Sequence, residues 1–365
     1  MRTSYGYDTY RGRSLLQTIL TILIVVLLVV LLLAVCAFLL LQKYMVYTDD
    51  GQAHLELPFL QQREEPQNPE PSQEQNIVVV TPEPVQTPEP TLQASAEELE
   101  PVSPVSLFRA ALTDGTAQRL VTGAGGNAAL FNMKANDGSL GYVSALPRAI
   151  SAGSSAADPS LNGKIQALTA GELYTIARVS CFKDNLAPKA DGALAIKTNS
   201  GYNWRDEEEI RWMNPTAAEA RQYVIGVCVE LAQLGFDEIV LDNAGWPATG
   251  NLSYIKVGES YDPATLSEGV EQFYQELQAA LEGTDVTLAV AVNAAALTGS
   301  ETASGQTAAL LGQYADRVYV LGAETAGACD RELADQGLTG GRVLYVDNTV
   351  ADLSTTGKLV AAQIP

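Results

Sequence analysis

Apolar and polar positions divide this chain into three regimes. Across residues 19–41 every position is uncharged and only Thr21 is polar, a run of 23 residues. From about Gln61 to Val105 the apolar residues thin out into Pro, Glu, Gln, Ser and Thr, with Ile77-Val78-Val79-Val80 as the one apolar patch. Beyond residue 106, short apolar runs alternate with longer amphipathic stretches.

In the third regime the short runs read as buried parallel strands. They are expected near 128–133, 173–181, 238–241, 287–292, 317–321 and 342–346. Between them, Pro215 to Leu234 predicts a helix, with Asn214 as its cap, Pro215 at its first position and Gly235 as its stop. A second helix is predicted from about Pro263 to Leu281, closed by Gly283. Strand and helix in alternation give a parallel sheet with right-handed crossovers. About 260 residues is the usual size of an α/β (β/α)8 TIM barrel, the expected fold class for 106–365. A doubly wound open sheet is the alternative. No Gly-rich phosphate loop follows the first strand, which argues against a nucleotide-binding version.

The first regime predicts a membrane anchor. At about 1.5 Å rise per residue a helix over 19–41 spans roughly 35 Å, enough for a hydrocarbon core of about 30 Å. A cleaved signal peptide has a shorter apolar region ending at small residues. Here the run continues through Phe38-Leu39-Leu40-Leu41, past the small cluster at 34–37. Arg2, Arg11 and Arg13 precede the run and only Lys43 follows it closely. That bias places the N-terminus inside and the C-terminal part outside. The expected organisation is a cytoplasmic tail (1–14), a transmembrane helix (15–42) and an extracytoplasmic stalk (43–105), followed by the barrel. The stalk carries Thr81-Pro82-Glu83-Pro84 and Thr87-Pro88-Glu89-Pro90. Such a segment cannot offset its ordering entropy by apolar burial, and reaches on the order of 140 Å in polyproline form.

Charge and cysteine usage narrow the classes. A net charge of −21 excludes the basic footprint that a nucleic-acid binder needs. Cys181, Cys228 and Cys329 are too widely spaced for a disulfide framework or a zinc site, and read as small buried thiols. The sole histidine, His54, precedes the barrel, so neither a histidine triad nor a histidine metal site is available. No cofactor is expected.

In parallel α/β folds the working residues stand at the C-terminal ends of strands. Asp242, after the run 238–241, is either a carboxylate facing the barrel mouth or a cap for the loop that follows. Arg178, inside an apolar strand, needs a partner. It pairs with Asp242 if it points inward, or forms a structural ion pair if it does not. Lys134, Asp137, Lys183 and Asp184 follow strands and read as mouth residues or as solvated loop charges. Trp204, Trp212 and Trp246, with Tyr202 and Tyr254 nearby, offer flat faces for sugar rings or plugs for the top of a core.

Several stretches together resemble a bacterial family of glycoside-hydrolase-like proteins. They are Asn127-Ala-Ala-Leu-Phe-Asn132-Met-Lys134-Ala-Asn-Asp137-Gly138 and Ile176-Ala177-Arg178-Val179-Ser180-Cys181-Phe182-Lys183-Asp184. Trp204-Arg205-Asp206, Trp212-Met213-Asn214-Pro215, Gly235-Phe236-Asp237-Glu238-Ile239-Val240-Leu241-Asp242 and Trp246-Pro247 follow in the family's order. The family is an α-amylase-like TIM barrel of unknown function, often membrane-anchored, and the resemblance covers roughly 120–325. It implies Asp242 as the nucleophile-like carboxylate, with Lys134, Arg178 and Asp184 around the site. The sequence departs from the family at Asn132, where an Asp is usual, and at Asn243-Ala244-Gly245, which replaces an aromatic residue and an Arg. It departs again at Asn293, where an Asp is frequent. An amide cannot act as a general acid, and glycoside hydrolysis normally uses two carboxyl groups. The second carboxyl group in this reading would be Glu324, after the strand near 317–321, or Asp184.

Three functions follow. The first is a surface glycoside hydrolase with Asp242, Glu324 and Arg178 at its centre. Lys134, Asp137, Asp184, Trp204, Trp246 and Asn293 would hold substrate. The second is a barrel that binds a cell-wall or environmental glycan without cleaving it, and the third a membrane-tethered protein scaffold. The expected partners are a polysaccharide and, through 15–42, a lipid bilayer; protein partners are unknown. The expected location is the cell membrane, with the C-terminal domain extracytoplasmic.

Overall fold

The structure, a computed structural model, describes residues 45–47, 53–55, 99–350, 353–354 and 357–360. The expected transmembrane run and the Pro-rich stretch of the stalk lie outside the described residues. Among the described residues no helix is long and apolar enough to cross a membrane. The chain divides into two compact units, Met1–Pro90 and Thr91–Pro365. In the first, β1 (Met45–Tyr47) pairs antiparallel with β2 (Ala53–Leu55), a short hairpin within the segment expected as stalk.

The second unit is built on one eight-stranded sheet. Its strands are β3 (Pro104–Leu107), β4 (Ala128–Lys134), β5 (Tyr174–Ser180), β6 (Glu238–Asp242), β7 (Thr287–Asn293), β8 (Arg317–Leu321), β9 (Val343–Tyr345) and β10 (Lys358–Leu359). From β3 to β9 each strand pairs in parallel with the next in sequence, and β10 pairs antiparallel with β3. Sequential order without a reversal distinguishes this sheet from the doubly wound alternative. Seven parallel strands and one antiparallel strand stand where eight parallel ones were expected. β3 was not anticipated, because Pro104-Val105-Ser106-Leu107 is too short to register as a periodic run beside the Pro-rich segment.

The sheet curls strongly. Ala128 and Leu130 of β4 share one buried cluster with Ile176, Val240, Ala289, Tyr319, Leu344 of β9 and Val360 beside β10. In a flat sheet β4 and β9 would lie five strand spacings apart, roughly 24 Å. A backbone hydrogen bond from Asp347 N to Val360 O (2.9 Å) ties the segment after β9 to the segment after β10.

Helices cover the outer face: α1 (Ala117–Gly123), α2 (Pro147–Ala152), α3 (Leu161–Thr169), α4 (Ala187–Ala190), α5 (Ala218–Gln233), α6 (Leu266–Leu281), α7 (Ala294–Leu297), α8 (Ala308–Tyr314) and α9 (Asp330–Ala334). Val224, Val227, Cys228 and Leu231 of α5 are buried, as are Val270, Phe273, Tyr274 and Leu277 of α6, spacings that put them on one face of each helix. Both helices begin about three residues later than the sequence pattern suggests. Asn214 does not cap α5; its Oδ1 accepts from Thr216 N (2.9 Å) and closes a turn ahead of the helix. Gly235, at φ +87°, ends α5 in the left-handed conformation that favours glycine.

Candidate active site at the strand ends

Alternate residues of β6 face the interior, so Glu238, Val240 and Asp242 stand along one inner line. The last of them reaches the C-terminal mouth. β5 lies beside it in register, with Ser180 opposite Asp242 and Arg178 opposite Val240. Arg178 is fully buried and leans toward the same mouth. Its Nε and Nη2 donate to Asp242 Oδ2 at 3.0 and 2.6 Å, and Asn243 N donates to Oδ1 at 2.8 Å. Of the two settings the sequence leaves open for Arg178, the structure has the inward one, paired with Asp242.

The rest of the guanidinium is held by amides. Nη1 donates to Asn132 Oδ1 (3.0 Å) and Lys134 O (3.4 Å), and Nη2 to Asn136 Oδ1 (2.6 Å). A guanidinium can only donate, so both amide oxygens must turn toward it. The Nδ2 groups of Asn132 and Asn136 then point away, without a hydrogen-bond partner among the described residues. Asn243 is held at φ +51° and donates from Nδ2 to Ser180 Oγ (3.0 Å) and Asn136 Oδ1 (3.4 Å). A side chain in that region is uncommon outside turns and functional sites. Arg109 approaches from the β3 side, donating from Nε to Asn132 O (2.6 Å) and from Nη2 to Ser139 O (3.0 Å). Burial lowers its pKa, with Asp137 opposing that effect and Arg178 adding to it.

The other residues singled out from the sequence occupy different settings. Lys134 and Asp184 are completely buried and pair with each other, Nζ to Oδ2 at 2.7 Å. Lys134 Nζ also donates to Ser180 O (2.8 Å), and Asp184 Oδ1 accepts from the backbone N–H groups of Leu186 and Ala187, both at 2.9 Å. This pair braces the loops behind the mouth. Gly138 is required there, since a Cβ would fall 2.2 Å from Asp184 Oδ1. Exposed Asp137 closes its own turn through Ser139 N (2.9 Å).

Trp204 and Trp246 are 1 % and 3 % exposed, with indole N–H groups bonded to Asn251 O and Leu266 O, both at 3.1 Å. They plug the loops and present no open ring face. Among the described residues the strongly exposed aromatic side chains are Tyr202 (76 %), Phe108 (66 %), just after β3, and Tyr254 (62 %). Asn293 is exposed at the end of β7 and caps α7 through Ala295 N (2.9 Å). Glu324 is exposed in the loop after β8, with no hydrogen bond or ion pair among the described residues. Asp242 and Arg178 are therefore brought together with Asn132, whereas Lys134, Asp184, Trp204 and Trp246 lie beneath the mouth surface.

Asn136, Asn243 and Arg109 were not anticipated as site residues, although Asn136 lies inside the first motif and Asn243 is one of the departures from the family. The departures at 243–245 also have a local reason. Ala244 is fully buried, and a Cβ on Gly245 would meet Ser304 O at 2.3 Å. The space an aromatic residue and an Arg would need is filled by the 304–306 segment and by the Asn243 amide.

The arrangement offers one carboxylate holding three N–H donors, a buried guanidinium and two amide Nδ2 groups without a partner among the described residues. No second carboxylate bonds to Asp242, Arg178 or the three amides among the described residues. No group of three His, Cys, Asp or Glu side chains among them could hold a metal ion.

No curated protein sequence matches the chain. Among solved structures it is similar to a hypothetical protein from Ruminiclostridium thermocellum, with 23 % identity, 50 % of this chain and 96 % of that chain covered, and a TM-score of 0.44. It is also similar to the PgaB (BpsB) glycoside hydrolase domain from Bordetella bronchiseptica, at 15 % identity, 67 % and 84 % coverage and a TM-score of 0.47. A chitinase from Chromobacterium violaceum matches at 15 % identity, 67 % and 67 % coverage and a TM-score of 0.37. The family described as "Putative glycosyl hydrolase domain" matches residues 115–321, more than half of the sequence, and the chain belongs to that family.

Proposed function

We propose that this domain binds a cell-envelope or environmental polysaccharide at the C-terminal mouth of a (β/α)8-type barrel without cleaving it. In this reading β10 takes the eighth place of the barrel. The observation that carries the proposal is the composition of the mouth: Asp242 is its one engaged carboxylate, and the neighbouring positions are Asn132, Asn136 and Asn243. The free Nδ2 groups of Asn132 and Asn136 suit the hydroxyl oxygens of a sugar, which accept as well as donate. Retaining hydrolysis needs a nucleophile and a separate acid, and inverting hydrolysis an acid and a base. Neither pair is assembled around Arg178.

One observation favours a hydrolase instead. Glu324 is exposed on the loop that leaves β8 at the same rim. If a bound glycan drew that loop inward, Glu324 would supply the missing acid. Both readings place the domain outside the cell, anchored by the apolar run 19–41 and spaced by the Pro-rich stalk. Their support is the sequence pattern alone.

The test is glycan binding by the full chain in a non-glycosidic detergent, with reducing-end release followed in the same wells. Wild type is expected to bind and release nothing, and Asn132→Ala to bind about tenfold more weakly, the usual effect of losing a bond to a solvent-shielded polar group. Release by wild type that disappears in Glu324→Gln would establish the hydrolase. No binding across a broad panel of wall-derived and environmental glycans would defeat both readings and leave the protein scaffold.

A further inference from the structure

Beyond the Asp242 mouth, the long loop between β5 and α5 builds a second cleft. We propose that this cleft is a subsite for an anionic group on a sugar, a carboxylate or a phosphate ester. The proposal rests on the glycan-binding reading and deepens it by naming the substrate class. Two pairs of loop segments are joined by antiparallel bridges, Lys197 with Asn203 and Arg205 with Arg211. The second bridge sets two arginine residues directly opposite each other, a like-charge juxtaposition that is destabilising unless something relieves it. Between the segments lies a cleft of about 530 Å³ lined by Gly201, Tyr202, Asn203, Arg205, Glu209 and Arg211.

The cations of this loop are not equally satisfied. Lys183 Nζ sits between Asp206 (3.1 Å) and Glu208 (2.9 Å). Arg205 meets Glu209 at 3.1 Å in an exposed pair, the kind that contributes little and is easily exchanged. Arg211 has no carboxylate within ion-pair distance among the described residues. Its Nη1 donates to the neutral Asn185 Oδ1 (2.6 Å), and its Nε is buried without a partner. Burial and the adjacent Arg205 both lower its pKa, as expected of a cation lacking its counter-charge.

An anion in the cleft would supply that counter-charge and relieve the Arg205–Arg211 opposition. Planar guanidiniums match the paired oxygens of a carboxylate or phosphate. Tyr202, 76 % exposed on the same cleft, gives the apolar face of a sugar ring a surface to stack on. Glu209 is the internal competitor: it stands at φ +60° on the rim with its carboxylate on Arg205. Glu207, exposed on the same turn and without an ion pair among the described residues, keeps the neighbourhood from being strongly basic. Binding is therefore salt-sensitive, and removing an acid strengthens it.

The experiment is a calorimetric titration of the full chain, in a non-glycosidic detergent at low salt, with trigalacturonate and with its fully methyl-esterified neutral counterpart. The charged oligosaccharide is expected to bind about tenfold more tightly, the scale of one charge-assisted contact. Arg211→Gln should erase that advantage and Glu209→Gln should enlarge it several-fold. Should Arg211→Gln fail to fold, Arg205→Gln, on an exposed side chain, reads the same loss. Inorganic phosphate that displaces the charged sugar at millimolar concentration supports the cleft with a phosphate ester as its source. Binding that phosphate does not disturb supports it with a carboxylate. Equal affinity for both oligosaccharides, or an advantage that survives Arg211→Gln, overturns the subsite while leaving the Asp242 mouth intact. Failure of either sugar to bind alongside the broad panel would remove the mouth reading as well.

Discussion

β6 carries two interior carboxylates four residues apart, and each meets an arginine from another strand at opposite ends of the same curled sheet. At the N-terminal end Glu238 pairs with Arg317 of β8. It also accepts from Tyr319 Oη (2.6 Å) and Tyr174 Oη (3.1 Å). Arg317 completes its bonds with Gly341 O (2.8 Å) and Glu100 O (2.9 Å), and the side chains of the pair are 0 % and 2 % exposed. At the C-terminal end Asp242 retains 8 % side-chain exposure, and its surroundings are amides with unused donors. Burying an ion pair costs desolvation at either end. The lower pair is closed by internal groups alone and acts as a structural seal. The upper pair leaves amide donors without a partner among the described residues, which a purely structural seal does not need.

The largest expected effect lies at the sealed end. Arg317→Met leaves Glu238 buried without its counter-charge and should cost about 3–5 kcal/mol in urea unfolding, the range for a broken buried pair. Arg317→Met with Glu238→Leu should recover much of that loss. The pH dependence has a definite sign. Burial already raises the Glu238 pKa above 4.5, and Arg317 opposes the rise. A raised folded-state pKa gives a contribution that is present below the unfolded value and lost as pH rises through the folded value. Without Arg317 the folded value climbs further. The destabilisation by Arg317→Met should therefore be larger at pH 7 than at pH 4. A cost independent of pH would show that Glu238 does not titrate against Arg317 and would dissolve the contrast between the two ends.

A smaller stability effect is expected at the mouth. Asp242→Asn removes one carboxylate, but Arg178 keeps Asn132, Asn136 and Lys134 O as acceptors. A loss of about 1–3 kcal/mol is expected, the cost of an imperfectly satisfied buried group, together with weaker glycan binding. Equal losses from Asp242→Asn and Arg317→Met would make the upper pair as structural as the lower. Gly138→Ala belongs to the same comparison. It forces a side chain against Asp184 at φ +93° and should cost more than about 1 kcal/mol, while leaving the Asp242 contacts in place.

The seal was the harder of the two ends to read. Arg178 and Asp242 stand out because a charge inside or just after an apolar run demands an explanation. Glu238 and Arg317 begin their strands, where a charge passes for an ordinary boundary residue. The parallel strands after 128 were legible from their apolar runs. β3 and β10 were not, because four- and two-residue strands owe their pairing to neighbours distant in sequence. The tryptophans were misleading for a related reason. Local sequence shows that Trp204 and Trp246 lie in loops, but only the packing shows that those loops bury them. Asn136 and Asn243 were visible in position and not in role, since an amide reveals its orientation only beside a group that must donate.

The smallest and most discriminating test is Asn243→Gly. Asn243 holds φ +51°, which costs a side-chain-bearing residue roughly 1 kcal/mol and a glycine very little. Glycine also gives up more chain entropy on folding and forfeits the bonds to Ser180 Oγ and Asn136 Oδ1. These terms oppose each other, so thermal stability should change by less than about 1 kcal/mol. The backbone N–H that holds Asp242 Oδ1 would remain, but the side chain linking β6 to Ser180 and Asn136 would be gone. Glycan affinity should fall several-fold while the melting temperature barely moves. At the sealed end stability and geometry are one quantity, so no substitution there should separate them. Affinity and stability falling together in Asn243→Gly would mean that the mouth is held as rigidly by packing as the seal, and that its strained asparagine serves the fold and not the site.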